Sequence, residues 1–366
     1  MSTLSDAGRR DWLRLARSEN VGPVTFDQLL RRYGDASRAL EALPELSRRG
    51  GRTSGLRIPS REDAEREIAA GEALGARLIA ACEADFPALL AALDPPPPLI
   101  WARGDTSLLA KPAIAIVGAR IASAAGQRFA RGLAQDLGQA GHVIVSGMAR
   151  GIDGAAHEGA MATGTVAVLG GGVDDIYPPD HRALYARLVA EGCVISESPA
   201  GAKAQARDFP RRNRLIAGLS LAVVVVEAEL RSGSLITARL AAEQGREVLA
   251  VPGSPLDPRA KGTNDLIRQG AALCEGVEDV LRAISGLSSA REPEHGVYGG
   301  DLGPGAEDEI AALRERIADL LSPTPTPRDD LVRITGAPAA MVYAALTELA
   351  LAGRAELLPG GLAIRA

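Results

Sequence analysis

Between residues 106 and 286, short apolar runs alternate with helical patterns of ten or more residues. The runs are continuously apolar and do not show the apolar–polar alternation of a strand with one face in water. They are AIAIVG (113–118), HVIVSG (142–147), TVAVLGGG (165–172), CVISES (193–198), AVVVVEA (222–228) and EVLAVPG (247–253). Buried strands that alternate with helices predict a doubly wound α/β core, with a mostly parallel sheet between two helical layers.

The regions on either side of this core have other patterns. Residues 1–60 place apolar residues at helical spacing around the turn Asn20-Val21-Gly22-Pro23, which predicts a small helix–turn–helix or helix-hairpin-helix domain, and its residues favour a structural role over DNA contact. Residues 61–105 open with a charged helix and end in four prolines and a strand-like run, so we expect a stiff connector into the core. Residues 287–305 are polar and rich in glycine and proline, which predicts a linker.

Residues 306–366 predict three helices followed by two short strands around Pro359-Gly360-Gly361. That order is typical of a winged helix, whose third helix takes the position that can enter the major groove of duplex DNA. In this chain the third helix reads AAMVYAALTELALAG and has almost no basic or amide side chain to contact base edges. A protein–protein role suits this helix better than the duplex reading of a transcriptional regulator.

Composition excludes several classes of protein. The three cysteines lie far apart, and the four histidines have no metal-ligand spacing, so we expect neither a disulfide framework nor a metal. The N-terminus lacks an apolar signal-peptide core, and the longest apolar runs are too short for a membrane span, so we expect a cytoplasmic protein. The net charge of −5 does not indicate nucleic-acid binding overall, but a local basic patch can still bind it.

Known catalytic signatures are missing from the sequence. It contains no G-x-x-x-x-G-K-[ST] phosphate loop, no G-x-S-x-G elbow and no H-E-x-x-H zinc motif, and its first glycine turn lacks G-x-G-x-x-G. We therefore expect no catalytic residues of these kinds and no bound cofactor.

Glycine- and serine-rich turns follow the predicted strands. The carboxyl ends of parallel strands share one edge of the sheet, and ligands bind outside that edge. Glycines allow close backbone approach, while serine hydroxyls and helix N-terminal amides suit phosphate oxygens. The candidate contacts in these turns are Gly118, Ala119, Arg120, Ser146, Gly147, Ser232, Gly233 and Ser234. We expect an anion-binding face, to which Arg120 adds positive charge.

A basic segment precedes one of the predicted strands. From residue 203 to residue 214 the chain carries five cations against one aspartate. The cations are Lys203, Arg207, Arg211, Arg212 and Arg214. A patch of this kind binds phosphates with strong salt dependence and without sequence preference. Phe209, within the patch, either offers a face on which a base can stack or packs into the core under the arginine helix.

Several long motifs resemble one known family. The segments SGMARGIDGAAHEGA, TVAVLGGGVDDIYPPDHRAL, FPRRNRLIAGLS and KGTNDLIRQGA closely resemble the DNA processing protein A (Smf) family, in order from about residue 113 to 275. The resemblance implies a Rossmann-like core between an N-terminal helical (SAM-like) domain and a winged helix. It also implies a homodimer that binds single-stranded DNA, protects incoming DNA during natural transformation (competence) and loads the RecA recombinase for homologous recombination. The resemblance implies no enzymatic turnover.

The resemblance also implies roles for individual residues. The family's G-x-R contact motif falls on Gly118, Ala119 and Arg120, its base-contacting aromatic on Phe209, and its basic wall on Arg211, Arg212 and Arg214. Asn213 and Lys261, in two of the matching segments, complete the candidate DNA contacts. Members often carry a lysine just before the FP motif, and in this chain either Lys203 or Arg207 takes its place.

The alternative function is a nucleotide-binding or nucleotide-hydrolysing enzyme that resembles the phosphoribohydrolases, which share this Rossmann variant. Those proteins carry P-G-G-x-G-T-x-x-E, whose glutamate is catalytic. The comparable segment in this chain is LRSGSLITAR, which has no acid, so nucleotide binding stays possible while hydrolysis is not expected.

Overall fold

The computed structural model describes residues 4–285 and 306–366, and the predicted linker 287–305 lies outside the described residues. The described chain forms two compact units. One contains the N-terminal helices up to Ile68, the short segment 94–99 and the C-terminal residues from 306 onward. The other contains residues 69–93 and the central region from residue 100.

Helices and strands alternate through most of the described chain. The α-helices are α1 (Asp6–Ala16), α2 (Pro23–Tyr33), α3 (Ala36–Arg49), α4 (Arg61–Ala73), α5 (Ala88–Ala91), α6 (Ala124–Gln139), α7 (Ile152–Ala160), α8 (Arg182–Glu191), α9 (Asp208–Gly218), α10 (Gly233–Glu243), α11 (Lys261–Arg268), α12 (Val277–Ser285), α13 (Ala306–Leu320), α14 (Arg328–Thr335) and α15 (Ala339–Leu351). The strands are β1 (Ala76–Ala80), β2 (Leu99–Gly104), β3 (Ala113–Gly118), β4 (Val143–Ser146), β5 (Thr165–Val168), β6 (Cys193–Ser196), β7 (Ala222–Val226), β8 (Glu247–Ala250), β9 (Ala272–Leu273), β10 (Thr326–Pro327), β11 (Ala355–Leu358) and β12 (Leu362–Arg365). Short 3-10 helices cover Thr106–Ala110, Pro179–His181 and Pro258–Ala260.

The central unit is built on one sheet with the order β1-β2-β6-β5-β4-β3-β7-β8-β9. Strands β3 to β9 pair in parallel, while β2 pairs antiparallel with β6. From β3 the chain proceeds outward through β4, β5 and β6, and it then returns to place β7 on the other side of β3. The strand order therefore reverses between β3 and β7, which is the position where open parallel sheets bind ligands.

Both faces of the sheet are covered, which explains the continuously apolar strands. In β3, Ala115 and Val117 face a layer that contains Leu215 of α9, while Ile114 and Ile116 face a layer formed largely by α6 and α7. The predicted doubly wound α/β core is confirmed, and each of the six apolar runs contains one strand.

The sheet begins earlier in the chain than the predicted core boundary at residue 106. The segment predicted as a connector contains β1 and β2, and Trp101 of β2 pairs with Ser196 of β6. Trp101 is fully buried, and a Cβ on Gly71 of α4 would lie 2.2 Å from its ring. The proline run covers only residues 95–98, and β2 starts directly after it. The stiff connector is therefore limited to these four residues.

The N-terminal helices and the winged helix were both predicted, and both are confirmed. The side chains of Ser5 and Asp35 cap the starts of α1 and α3, and α2 begins at Pro23, which favours the first helical turn. Helices α13, α14 and α15 pack with a small sheet of order β10-β12-β11.

No single helix in the described residues is long and apolar enough to cross a membrane. Helices α14 and α15 reach the required length and composition only as a pair, with a bend of 117° between them.

Candidate nucleic-acid interface

The carboxyl ends of β3 and β7 lie side by side at the point where the strand order reverses. Gly118 pairs with Val226 in the last register position, and a Cβ on Gly118 would lie 1.8 Å from the carbonyl oxygen of Val226. Only glycine permits this approach. Two residues further on, the Arg120 side chain is exposed and forms no ion pair within the described residues. The end of β3 thus places Arg120, a cation that no described residue pairs, at the ligand-binding edge.

Phe209, in the first turn of α9, lies beside Arg120. The Arg120 guanidinium carbon is 5.7 Å from the centre of the Phe209 ring, within the range of a cation–π interaction. Phe209 is half-buried, and a Cβ on Gly170 would touch its ring at 3.5 Å. The ring is therefore only partly accessible to solvent, because one of its edges packs against the glycine turn after β5.

A second aromatic ring extends this surface. The ring centre of Tyr177 is 5.3 Å from that of Phe209, with 44° between the planes, and Tyr177 is 50% exposed. Tyr177 was not among the contacts predicted from the sequence, where it lies within one of the segments that resemble the family. The available signal was its rarity, since the chain has only five tyrosines.

The three arginines of α9 point in different directions. Arg211 is exposed and forms no ion pair with a described residue. Arg214 is mostly buried and is paired with the Glu197 carboxylate. Arg212 is only 7% exposed and donates to the carbonyl oxygens of Gly147 and Val168. Arg211 is therefore the one arginine of the expected basic wall that no described residue pairs, because the other two are held by protein groups.

Arg212 joins the ends of two neighbouring strands. Its Nη1 lies 2.7 Å from the oxygen of Gly147, and a Cβ on Gly147 would be 2.7 Å from that same nitrogen, so the turn needs glycine there. Asp153 completes the arrangement by accepting from the backbone N–H groups of Gly147 and Ala149. Burial lowers the pKa of Arg212 to about 10 and raises the pKa of Asp153, and their mutual attraction opposes both effects. Arg212 thus remains charged at neutral pH.

Ser146 and Gly147 are buried rather than presented at the edge. The Ser146 hydroxyl donates to the Ile116 carbonyl at 2.7 Å and so links β4 to β3. Both residues are covered by protein at this edge, so their predicted DNA contact stays a prediction.

Lys203 and Arg207, the two alternatives for the cation before the FP motif, differ in their surroundings. The Lys203 ammonium lies 3.1 Å from the Asp175 carboxylate. Arg207 is exposed and has no ion-pair partner among the described residues. Of these two cations, Arg207 is therefore the one whose charge is not compensated by a described residue.

The remaining candidates lie in the loop after β7, on α9 and at the start of α11. Ser232 caps α10, and its hydroxyl lies 2.7 Å from that of buried Ser234. The Asn213 amide donates to the oxygen of Gly233 at 3.3 Å, which ties the middle of α9 to the start of α10. Lys261 is exposed at the start of α11, next to the Gly262 N–H that donates to Ala228.

Acidic groups at this edge are engaged in structural contacts. The Glu227 carboxylate, which follows β7, accepts from the Ser123 N–H at 2.8 Å and from its hydroxyl at 2.5 Å. Asp174 and Asp175 accept from the backbone N–H groups of Gly201 and Ala204 at 2.8 Å each. Within residues 4–285 and 306–366, no three His, Cys, Asp or Glu side chains are arranged to hold a metal ion.

Together these features define a class of protein: a parallel α/β core with a cationic, aromatic ligand edge, in a chain that also has an N-terminal helical domain and a C-terminal winged helix. Comparison with known proteins gives the family. The family model described as DNA recombination-mediator protein A matches residues 77–285, a DprA-like N-terminal HHH domain matches 6–70, and a DprA winged helix domain matches 304–361. The chain belongs to this DprA/Smf family.

Relatives and solved structures agree with that assignment. Protein Smf of Escherichia coli (strain K12) is 41% identical over 280 residues, which cover 75% of this chain and 73% of that protein. The X-ray structure of DNA processing protein A from Streptococcus pneumoniae superposes with a TM-score of 0.63 at 29% identity, over 77% of this chain and 98% of that one. A structure of the Helicobacter pylori protein, described by its single-stranded DNA binding mode, gives a TM-score of 0.52 at 29% identity over 59% and 97% of the two chains.

Proposed function

We propose that the chain binds single-stranded DNA at the edge formed by the ends of β3, β5 and β7. The observation that carries the proposal is the grouping of Phe209 with Arg120, which lies over its ring, and with Arg207 and Arg211, two exposed arginines without an ion-pair partner among the described residues. Guanidinium groups neutralise phosphates whatever the sequence, and aromatic faces accept any unpaired base. The binding mode named for the Helicobacter pylori relative supports the same ligand.

A single strand suits this surface better than a duplex does. Bases in a duplex are stacked on one another, so their faces are closed to a protein ring, whereas an unpaired base can stack on Phe209. Tyr177 lies beside Phe209 and offers a second face for a neighbouring base. An isolated phosphate or mononucleotide site would have no need for two adjacent aromatic rings.

Charge reversal at the edge tests this proposal. We expect Arg120→Glu and Arg211→Glu to abolish binding of a short single-stranded oligonucleotide, measured by fluorescence anisotropy, while the unfolding midpoint stays that of the wild type. Neither side chain has an ion-pair partner to lose among the described residues, so the fold has no reason to change. If either variant folds and binds normally, the proposed site is wrong.

We further propose that the bound strand is incoming DNA in natural transformation, which the protein protects and onto which it loads RecA as a homodimer, without enzymatic turnover. Membership of the DprA/Smf family supports this role. A nuclease-protection assay, RecA nucleation on single-stranded DNA with and without the chain, and the mass measured by light scattering test its three parts. Release of base from a nucleoside monophosphate by the same preparation would instead support the phosphoribohydrolase-like alternative.

A further inference from the structure

The third helix of the winged helix, α15, is buried on all sides over its second half. Every residue from Ala344 to Leu351 is buried, although only part of this helix faces the core of its own domain. Helices that are apolar all round are covered by protein rather than by water. The covering element is in the same compact unit: helices α2 and α3 of the N-terminal domain contact α15.

Polar contacts fix how the two domains meet. The Thr347 hydroxyl lies 2.6 Å from the Gln28 side-chain oxygen, and the Asn20 amide donates to the Leu351 carbonyl at 3.1 Å. Asn20 belongs to the turn between α1 and α2, so this turn is used for protein contact. Gln28 and Asn20 lie at two separate positions of the N-terminal domain. Their contacts therefore fix the orientation of α15 on that domain, which apolar packing alone would not do.

Gly50, at the end of α3, is explained by this contact and not by its own backbone. Its φ of −65° and ψ of −6° suit any residue. A Cβ at this position, however, would lie 2.0 Å from the Glu348 carbonyl oxygen and 2.8 Å from the Ala352 Cβ. Contacts this short are not found between real atoms, so α15 can reach its observed position only against a glycine. The N-terminal domain thus carries a surface shaped for α15.

Glu348, whose carbonyl group lies against Gly50, has its side chain paired within the winged helix itself. The side chain is 2% exposed, and its carboxylate lies 2.5 Å from Arg314 Nη1 on α13. A buried carboxylate is stable only when it is paired. The docked part of α15 therefore carries no uncompensated charge into the contact.

We propose that α15 is a protein-docking surface, that its partner is the N-terminal helical domain of the same chain, and that the winged helix is therefore closed to duplex DNA. The winged helix and the N-terminal domain then act as one body. This inference is independent of the single-stranded DNA site proposed above.

Site-directed cross-linking in the full-length protein tests the docking. We expect the pair Gln28→Cys and Thr347→Cys, which replaces two side chains in direct contact, to form a disulfide within one chain under mild oxidation. The control pair combines Gln28→Cys with Arg333→Cys, on the exposed side of α14, and we expect at least about fivefold less product from it, since a disulfide joins only neighbouring thiols. Cys193 and Cys274 are buried, and Cys82 contributes equally to both pairs.

A second glycine provides the matched control for the contact itself. Gly50→Ala, added to the first pair, should reduce the cross-link at least about fivefold, as expected from the cost of overpacking. Gly55→Ala should leave it unchanged, because a Cβ at Gly55 meets nothing within 4 Å. Circular dichroism checks that both variants are folded. Equal product from both cysteine pairs, no effect of Gly50→Ala in a folded protein, or a cross-link between two chains would each overturn the proposal.

Discussion

The sheet edge and the third helix of the winged helix are the two parts of this chain whose architecture is associated with DNA. Their surfaces differ in whether the charged side chains are exposed and whether they are paired. At the edge, Arg120, Arg207 and Arg211 are exposed without ion-pair partners in the described chain. On α15, the one charged residue that is buried, Glu348, is already paired with Arg314. The comparison teaches that the fold type alone does not indicate where a nucleic acid can bind. Exposed, unpaired cations next to an accessible aromatic ring are the better indication.

Neighbouring arginines at the edge repeat this contrast on a smaller scale and lead to the largest expected effect. Arg212→Met removes the donor for two buried carbonyls and leaves Asp153 without its nearby cation, so we expect a loss of about 3–5 kcal/mol in the free energy of unfolding. Arg211→Met should change it by less than about 0.5 kcal/mol, because Arg211 is exposed. Urea denaturation measures both. Equal losses would mean that Arg212 is no more important to the fold than Arg211.

The next prediction compares charge at the two regions. The double reversal Arg120→Glu with Arg211→Glu should weaken single-stranded DNA binding at least about a hundredfold, because it replaces two phosphate contacts by repulsion. The matched reversal Arg333→Glu, on exposed α14 of the winged helix, should change the affinity less than about twofold. Anisotropy titrations at one fixed salt concentration give both values. A comparable loss from Arg333→Glu would place the DNA on the winged helix as well.

The ring of Phe209 should contribute a smaller, salt-independent part of the affinity. Phe209→Ala should cost about 1–3 kcal/mol of binding free energy, the range for one base–aromatic stack. Phe209→Tyr keeps the aromatic face and should retain most of the affinity. Binding is measured at two salt concentrations, and the loss from Phe209→Ala should be the same at both. A loss that disappears at high salt would indicate that the substitution acts through Arg120 instead.

The smallest effect separates Lys203 from Arg207. Arg207→Ala should lower the slope of log affinity against log salt by about 0.7, the value for one phosphate contact on a single strand. Lys203→Ala should lower it less, because the ammonium is already compensated by Asp175. The salt slopes of the two variants, measured side by side, decide between them. A larger change for Lys203→Ala would reverse the assignment.

Much of the fold could be predicted because its determinants are local. The six buried strands appear in the sequence as continuously apolar runs. The helical hairpin and the order of elements in the winged helix can also be recognised from the sequence. The boundary at residue 106 was less accurate, because β1 and β2 adjoin a proline run that hides the continuation of the sheet.

The directions of the three arginines needed the structure, although the sequence contained a signal. Residues three and four apart share a helix face, so Arg212 lies on the same face as buried Leu215 and Ile216. This spacing indicates that Arg212 points inward. Tyr177 had no comparable positional signal, because its place beside Phe209 depends on the path of a loop.

The most direct test of the central claim is a salt titration with a single-stranded oligonucleotide and a duplex of the same length. We expect the single strand to bind at least about tenfold more tightly, since only unpaired bases can stack on Phe209 and Tyr177. Its affinity should fall linearly on a log–log plot as salt rises, because the exposed arginines neutralise phosphates. Equal affinity for the two forms, or an affinity that does not respond to salt, would contradict the proposed role of the sheet edge.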